Sequence, residues 1–177
     1  MAAAERSDMV TSNGMPGVEL ERLRALLPSV SVISPTFVRE HGLKAALVDD
    51  NFLYEEEGQQ LMSALAQQGA TSFNWCKTSD VVGSDRSLAV HSIECNYDEF
   101  ESRYLRLDDE IQYWDRLIYL DDLGTMLLHT AHDHLIYVGS EDFLNTATGR
   151  RNQFRDGWLA TRGTAFTDPA LVEAYDL

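Results

Sequence analysis

Three short apolar runs, Leu117–Leu120, Met126–Thr130 and Leu135–Val138, follow one another in the second half of this chain with only brief connections between them. Runs of four or five residues have the length of strands and are too short for helices of their own. The first is apolar on both faces, as in a strand with no solvent side. The last two, placed around Ala131-His132-Asp133-His134, read as a β-hairpin. A helix over Leu123–Ala131 competes with the hairpin, because Leu123, Leu127 and Ala131 also share one helical face.

Around this nucleus the helix signals are local and chemical. Leu20, Leu23 and Leu27 recur at helical spacing until Pro28 stops the run. Ser34-Pro35 reads as an N-cap followed by proline at the first helical position, with Gly42 as the stop, which predicts a short helix over Pro35–His41. Lys44–Val48 is a predicted strand. Glu55–Gln68 is a predicted helix with Leu61, Met62 and Leu65 inward, three glutamates at its positive end and Gly69 closing it. Phe73–Val82 is apolar without a period. Arg86–Cys95 alternates as a strand does, Leu88 and Val90 on one face and Ala89, His91 and Ile93 on the other. Asn96 and Glu99 have N-cap and N3 spacing, ahead of a continuous stripe of Phe100, Tyr104, Leu107, Ile111 and Trp114. Ser140 caps a helix through Ala147, Gly149–Gly163 reads as a polar loop, and Asp168-Pro169 opens a last helix.

Strands adjacent in sequence, with too few helices between them for a regular βαβ repeat, imply an α+β fold with a mainly antiparallel sheet and helices packed against it. A chain of 177 residues fits one domain. The expected organisation is a flexible N-terminal tail over residues 1–17 and a single α+β domain over 18–177. The tail lacks the charged-then-apolar pattern of a secretion signal, no run approaches bilayer-spanning length, and Cys76 and Cys95 read as reduced, buried thiols. The expected location is cytoplasmic.

Charge narrows the function. There are 29 acids against 14 bases, a net −15. Residues 45–76 hold Asp49, Asp50, Glu55, Glu56 and Glu57 with no Lys or Arg, and residues 94–122 hold ten acids against Arg103, Arg106 and Arg116. These two stretches carry −5 and −7, so −12 of the −15 lies in them. Such a balance disfavours nucleic acid and anionic membrane as partners, and favours a cationic protein.

Catalytic motifs are sparse. The G-x-S-x-G elbow, the G-x-x-x-x-G-K-[ST] phosphate loop and the G-x-G-x-x-G dinucleotide turn are all absent. His129, His132, Asp133 and His134 offer ordinary metal donors, and a hairpin would set His129 and His134 diagonally on one face. The run H-T-A-H-D-H resembles the H-x-H-x-D-H of metallo-β-lactamase-type hydrolases, with the first two histidines spaced differently. The resemblance covers six residues and carries no function over; the four donors themselves leave an alternative reading as a small metal-dependent hydrolase. Adjacent aspartates such as Asp49-Asp50 and Asp121-Asp122 point to opposite faces of a strand and suit loop entry or capping better than a shared metal.

The expectation is therefore an acidic protein-binding inhibitor without cofactor or catalytic residues. The type is a bacterial immunity protein or antitoxin that covers the positive groove of a nuclease-like toxin. Carboxylates with neighbouring tyrosines would form the contact: Asp49, Asp50, Tyr54, Glu55, Glu56, Glu57, Tyr97, Asp98, Glu101, Asp108, Asp109, Tyr113, Asp121 and Asp122.

Overall fold

The computed structural model describes residues 16–48, 53, 55–83, 88–105, 115–130 and 134–149. Its centre is a six-stranded sheet of β1 (Lys44–Val48), β2 (Ser72–Lys77), β3 (His91–Glu94), β4 (Arg116–Tyr119), β5 (Met126–His129) and β6 (Leu135–Gly139). The spatial order is β1-β6-β5-β4-β2-β3, and every neighbouring pair is antiparallel. The fold is α+β, with helices packed on the sheet.

The runs that are apolar on both faces lie where both faces are covered. All residues of β4, β5 and β6 are buried. Alternation sends Leu117, Tyr119, Leu128 and Ile136 to one side, where they pack with Leu23, Leu26 and Val81. It sends Ile118, Leu127 and Tyr137 to the other, against Leu61, Leu65, Phe100 and Leu144. The first helical layer is α1 (Pro16–Leu26), α2 (Pro35–Glu40) and α4 (Thr78–Val82). The second is α3 (Glu55–Gln67), α5 (Tyr97–Phe100) with a π-helical turn (Glu101–Leu105), and α6 (Glu141–Thr148), where α3 and α6 pack on each other. Each buried Leu or Phe contributes about 1.5–3 kcal/mol, so the two-sided centre dominates stability.

Local chemistry sets the helix ends as the sequence suggests. Ser34 and Ser140 accept the backbone N–H of Phe37 and Phe143, each at 3.2 Å, and Asn96 accepts that of Glu99 at 2.9 Å. Gly42 and Gly69 take positive φ angles of 63° and 81° just past α2 and α3, a region that side chains disfavour. Residues 123–130 are not a helix: the turn after β4 leads directly into β5, paired with β6, and Ala131 lies outside the described residues.

Three expectations differ from the structure. Phe73–Val82 divides at Lys77 into β2 and α4, and Thr78 fixes the change by donating its N–H and its hydroxyl to the Asp115 carbonyl at 3.0 and 3.2 Å. Of the predicted strand Arg86–Cys95, the described part, residues 88–95, pairs as a strand at His91–Glu94, whose ladder with β2 ends at Trp75; Arg86 and Ser87 lie outside the described residues. The anticipated continuous helix from Phe100 becomes a π-helical turn at Glu101, and its later residues 106–114 lie outside the described residues. The wider turn sets the Phe100 and Tyr104 rings in a stack 5.0 Å apart. The predicted tail, the loop from Gly149 and the last helix also fall largely or wholly outside the described residues.

Candidate functional site

Glu55, Glu56 and Glu57 occupy the first turn of α3, where the helix dipole favours negative charge. Glu55 and Glu56 are exposed, and each accepts from a glutamine amide one turn on, Gln59 at 3.2 Å and Gln60 at 3.3 Å. Neither is joined to a cation among the described residues. Glu57 is half-buried, and its Oε2 is enclosed without a donor.

The next residue, Gly58, explains how a second acidic group comes alongside. A Cβ at Gly58 would stand 2.8 Å from the Tyr97 ring and 3.1 Å from the Phe100 ring, so the lack of a side chain lets α5 lie directly against α3. Tyr97 is half-buried in this junction, its ring 6.5 Å from that of Phe100. Asp98 is exposed and Glu101 partly so on the same short segment. The arrangement joins Glu55, Glu56 and Glu57 with Tyr97, Asp98 and Glu101 on adjoining elements of one helical layer. Of the nearby basic residues, Arg103 pairs with Glu99, at 3.3 Å.

Asp121 and Asp122 lie elsewhere. They form the turn between β4 and β5, beside α1 in the other helical layer. Asn74 donates to the Asp121 carboxylate at 2.6 Å, Arg22 donates to the Asp121 carbonyl at 2.7 Å, and the Asp122 carboxylate accepts the Gly124 N–H at 2.8 Å. Both carboxylates thus shape the turn, and they border a cleft of about 520 Å³ that also includes Asn74 and Ser92. Asp49, Asp50, Tyr54, Asp108, Asp109 and Tyr113 lie outside the described residues.

The histidines are distributed differently from the diagonal arrangement expected of the hairpin. His129 pairs in register with Leu135. Thr130 and His134 form the next pair: the Thr130 N–H and hydroxyl donate to the His134 carbonyl at 3.2 and 2.7 Å, and the His134 N–H donates to the Thr130 hydroxyl at 2.9 Å. Strand alternation turns neighbouring pairs to opposite faces, which sends His129 and His134 apart. Among the described residues no three His, Cys, Asp or Glu side chains gather as metal ligands; His132 and Asp133 lie outside them. The thiols are no better placed for nucleophilic work. Burial, with Asp80 and Glu19 nearby, pushes the Cys76 thiol far above its ordinary range, and burial pushes Cys95 up to about 11.

Sequence reasoning missed the polar cluster at one end of the sheet. Tyr104 is fully buried, its hydroxyl 3.1 Å from His129 Nδ1 and its ring beneath the Arg116 guanidinium at 4.5 Å. Trp75 meets the Tyr104 ring edge-on at 5.6 Å and stacks with His91 at 4.5 Å. Burial, with Arg103 and Lys77 nearby, holds His91 below its ordinary value. One available signal was Arg116 opening an otherwise apolar strand, two residues from Ile118 on the same face.

Comparison with family models, with curated proteins and with solved structures returns no match for this chain. Among the described residues no helix is long and apolar enough to cross a membrane.

Proposed function

We propose that this chain is a protein-binding inhibitor whose acidic surface, centred on the α3–α5 junction, covers a cationic partner of the nuclease-toxin type, as immunity proteins and antitoxins do. The observation that carries this reading is the state of Glu55 and Glu56: exposed, adjacent, and among the described residues hydrogen-bonded to neutral amides rather than to cations. Carboxylates left uncompensated on a surface contribute little to the fold, yet they steer a positive partner and speed its encounter. Asp98 and Glu101 extend the negative surface, and Tyr97 supplies aromatic area beside it. Asp121 and Asp122 form a secondary contact, since the Asp121 carboxylate accepts from Asn74 on β2 and the Asp122 carboxylate accepts within its own turn.

The test is inhibition. Basic nuclease domains encoded next to this chain are expressed with and without it, and cleavage of plasmid DNA and of RNA is followed. One nuclease is expected to be blocked at equal stoichiometry, with the block lost in a Glu55→Lys, Glu56→Lys, Asp98→Lys variant. A chain that blocks none of them, or a charge-reversed variant that blocks as well as the parent, overturns the proposal.

A further inference from the structure

In a protein of net charge −15, one end of the sheet gathers nitrogen-bearing basic side chains. Lys77, Arg116 and His129 stand in register on β2, β4 and β5, on the face covered by α3 and α5. His91 lies on the adjoining strand, and Arg103 is near enough to lower its basicity.

Arg116 is the unusual member. It is 6% exposed, and its Nε is enclosed without a hydrogen-bond acceptor. Among the described residues no carboxylate forms an ion pair with it. Its specific side-chain contact among the described residues is the Tyr104 ring face. A ring face offsets only part of what burial costs a guanidinium, and buried arginines ordinarily meet a carboxylate or phosphate through their planar fork.

The surroundings hold the group in place. Tyr104 is fixed by the Phe100 stack, by Trp75 at its edge and by the contact with His129. In the tautomer whose Nδ1 accepts the Tyr104 hydroxyl proton, His129 carries its own proton on Nε2, a donor.

We propose that this row is a binding site for a small oxyanion, a carboxylate or a phosphate group, with the Arg116 fork as its principal donor and Lys77 and His129 on either side. The proposal is independent of the acidic surface, because it concerns a different charge and a different set of residues. The net charge sharpens it. The molecule as a whole repels anions, so saturable anion uptake has to come from a local site.

The experiment uses the full chain at constant ionic strength. Inorganic phosphate and, separately, acetate are titrated while the imidazole resonances are followed by NMR. His129 is expected to shift saturably, and His41, which stacks on Phe37 away from the row, to stay nearly still. The stronger of the two titrants identifies which oxyanion the site prefers. Arg116→Met is expected to abolish saturation. Arg116→Lys, which keeps the charge but loses the fork, should weaken binding at least about tenfold and decides the matter if the methionine variant does not fold. Arg22→Met, on α1, should bind as the parent does. Linear shifts shared by all the histidines, or saturation that survives in a folded Arg116 variant, would overturn the site.

Discussion

The acidic α3–α5 surface and the cationic end of the sheet share one helical layer, but their charges are solvated very differently. Glu55 and Glu56 stand in water, where a carboxylate is well solvated without a partner. Arg116, Tyr104 and His129 are buried, where each polar atom has to be accounted for. Altering the first region should therefore change what the molecule meets and leave its stability nearly untouched. Altering the second should change the fold itself.

The largest effect that would break this contrast is Tyr104→Ala. Removing a fully buried ring that touches Phe100, Trp75, His129 and Arg116 should cost about 3–5 kcal/mol in urea unfolding. A loss comparable to that of a surface substitution would mean that the cluster is not a packed unit. Gly58→Ala comes next. The new methyl group meets the Tyr97 and Phe100 rings, an overpacking cost of about 1–3 kcal/mol against roughly 1 kcal/mol gained in helix propensity. A net loss of up to about 2 kcal/mol is expected, with Tyr97 displaced and its fluorescence or NMR shifts altered. A net gain would show that α5 does not lie as close to α3 as described.

How much of this was legible in the sequence depended on how local the cause is. The α2 helix was readable from Ser34, Pro35 and Gly42 alone, because a cap, a preset φ and a positive-φ stop act within a few residues of chain. The β5–β6 hairpin was only half readable: its runs suit strands, but Leu123, Leu127 and Ala131 also share a helical face, and pairing across the sheet selects β5. The split between β2 and α4 was not, since what fixes it is the Asp115 carbonyl on a distant segment. The same holds for the candidate sites. The glutamates of α3 were visible as a charge run, and their meeting with Tyr97 depends on Gly58, whose role appears only once the two helices are packed. Arg116 was one base among many until β4 placed it over Tyr104.

Acid separates the two regions in another way. Burial and the nearby Arg103 and Lys77 hold His91 below its ordinary 6.5. As pH falls through about 6.5, the unfolded chain takes up a proton there that the folded chain still refuses, so stability falls until the lower folded value is passed. Thermal midpoints measured downward from pH 7.5 should decline, and His91→Gln should flatten part of that decline. An unchanged slope in the variant would remove His91 from the account. The smallest stability effect belongs to Glu55→Gln with Glu56→Gln, a loss within about 1 kcal/mol from weaker helix-dipole interaction. A larger loss would assign these glutamates to the fold rather than to a partner.

The salt dependence of binding probes the acidic surface most directly. Titration calorimetry with whichever nuclease the inhibition assay identifies, at roughly 50 mM and 500 mM salt, should show affinity falling at least about tenfold, since screening shortens the reach of exposed charges. The Glu55→Gln, Glu56→Gln variant should bind more weakly and respond less to salt. Affinity indifferent both to salt and to those two substitutions would contradict the reading of the α3–α5 surface as the place where a positive partner docks.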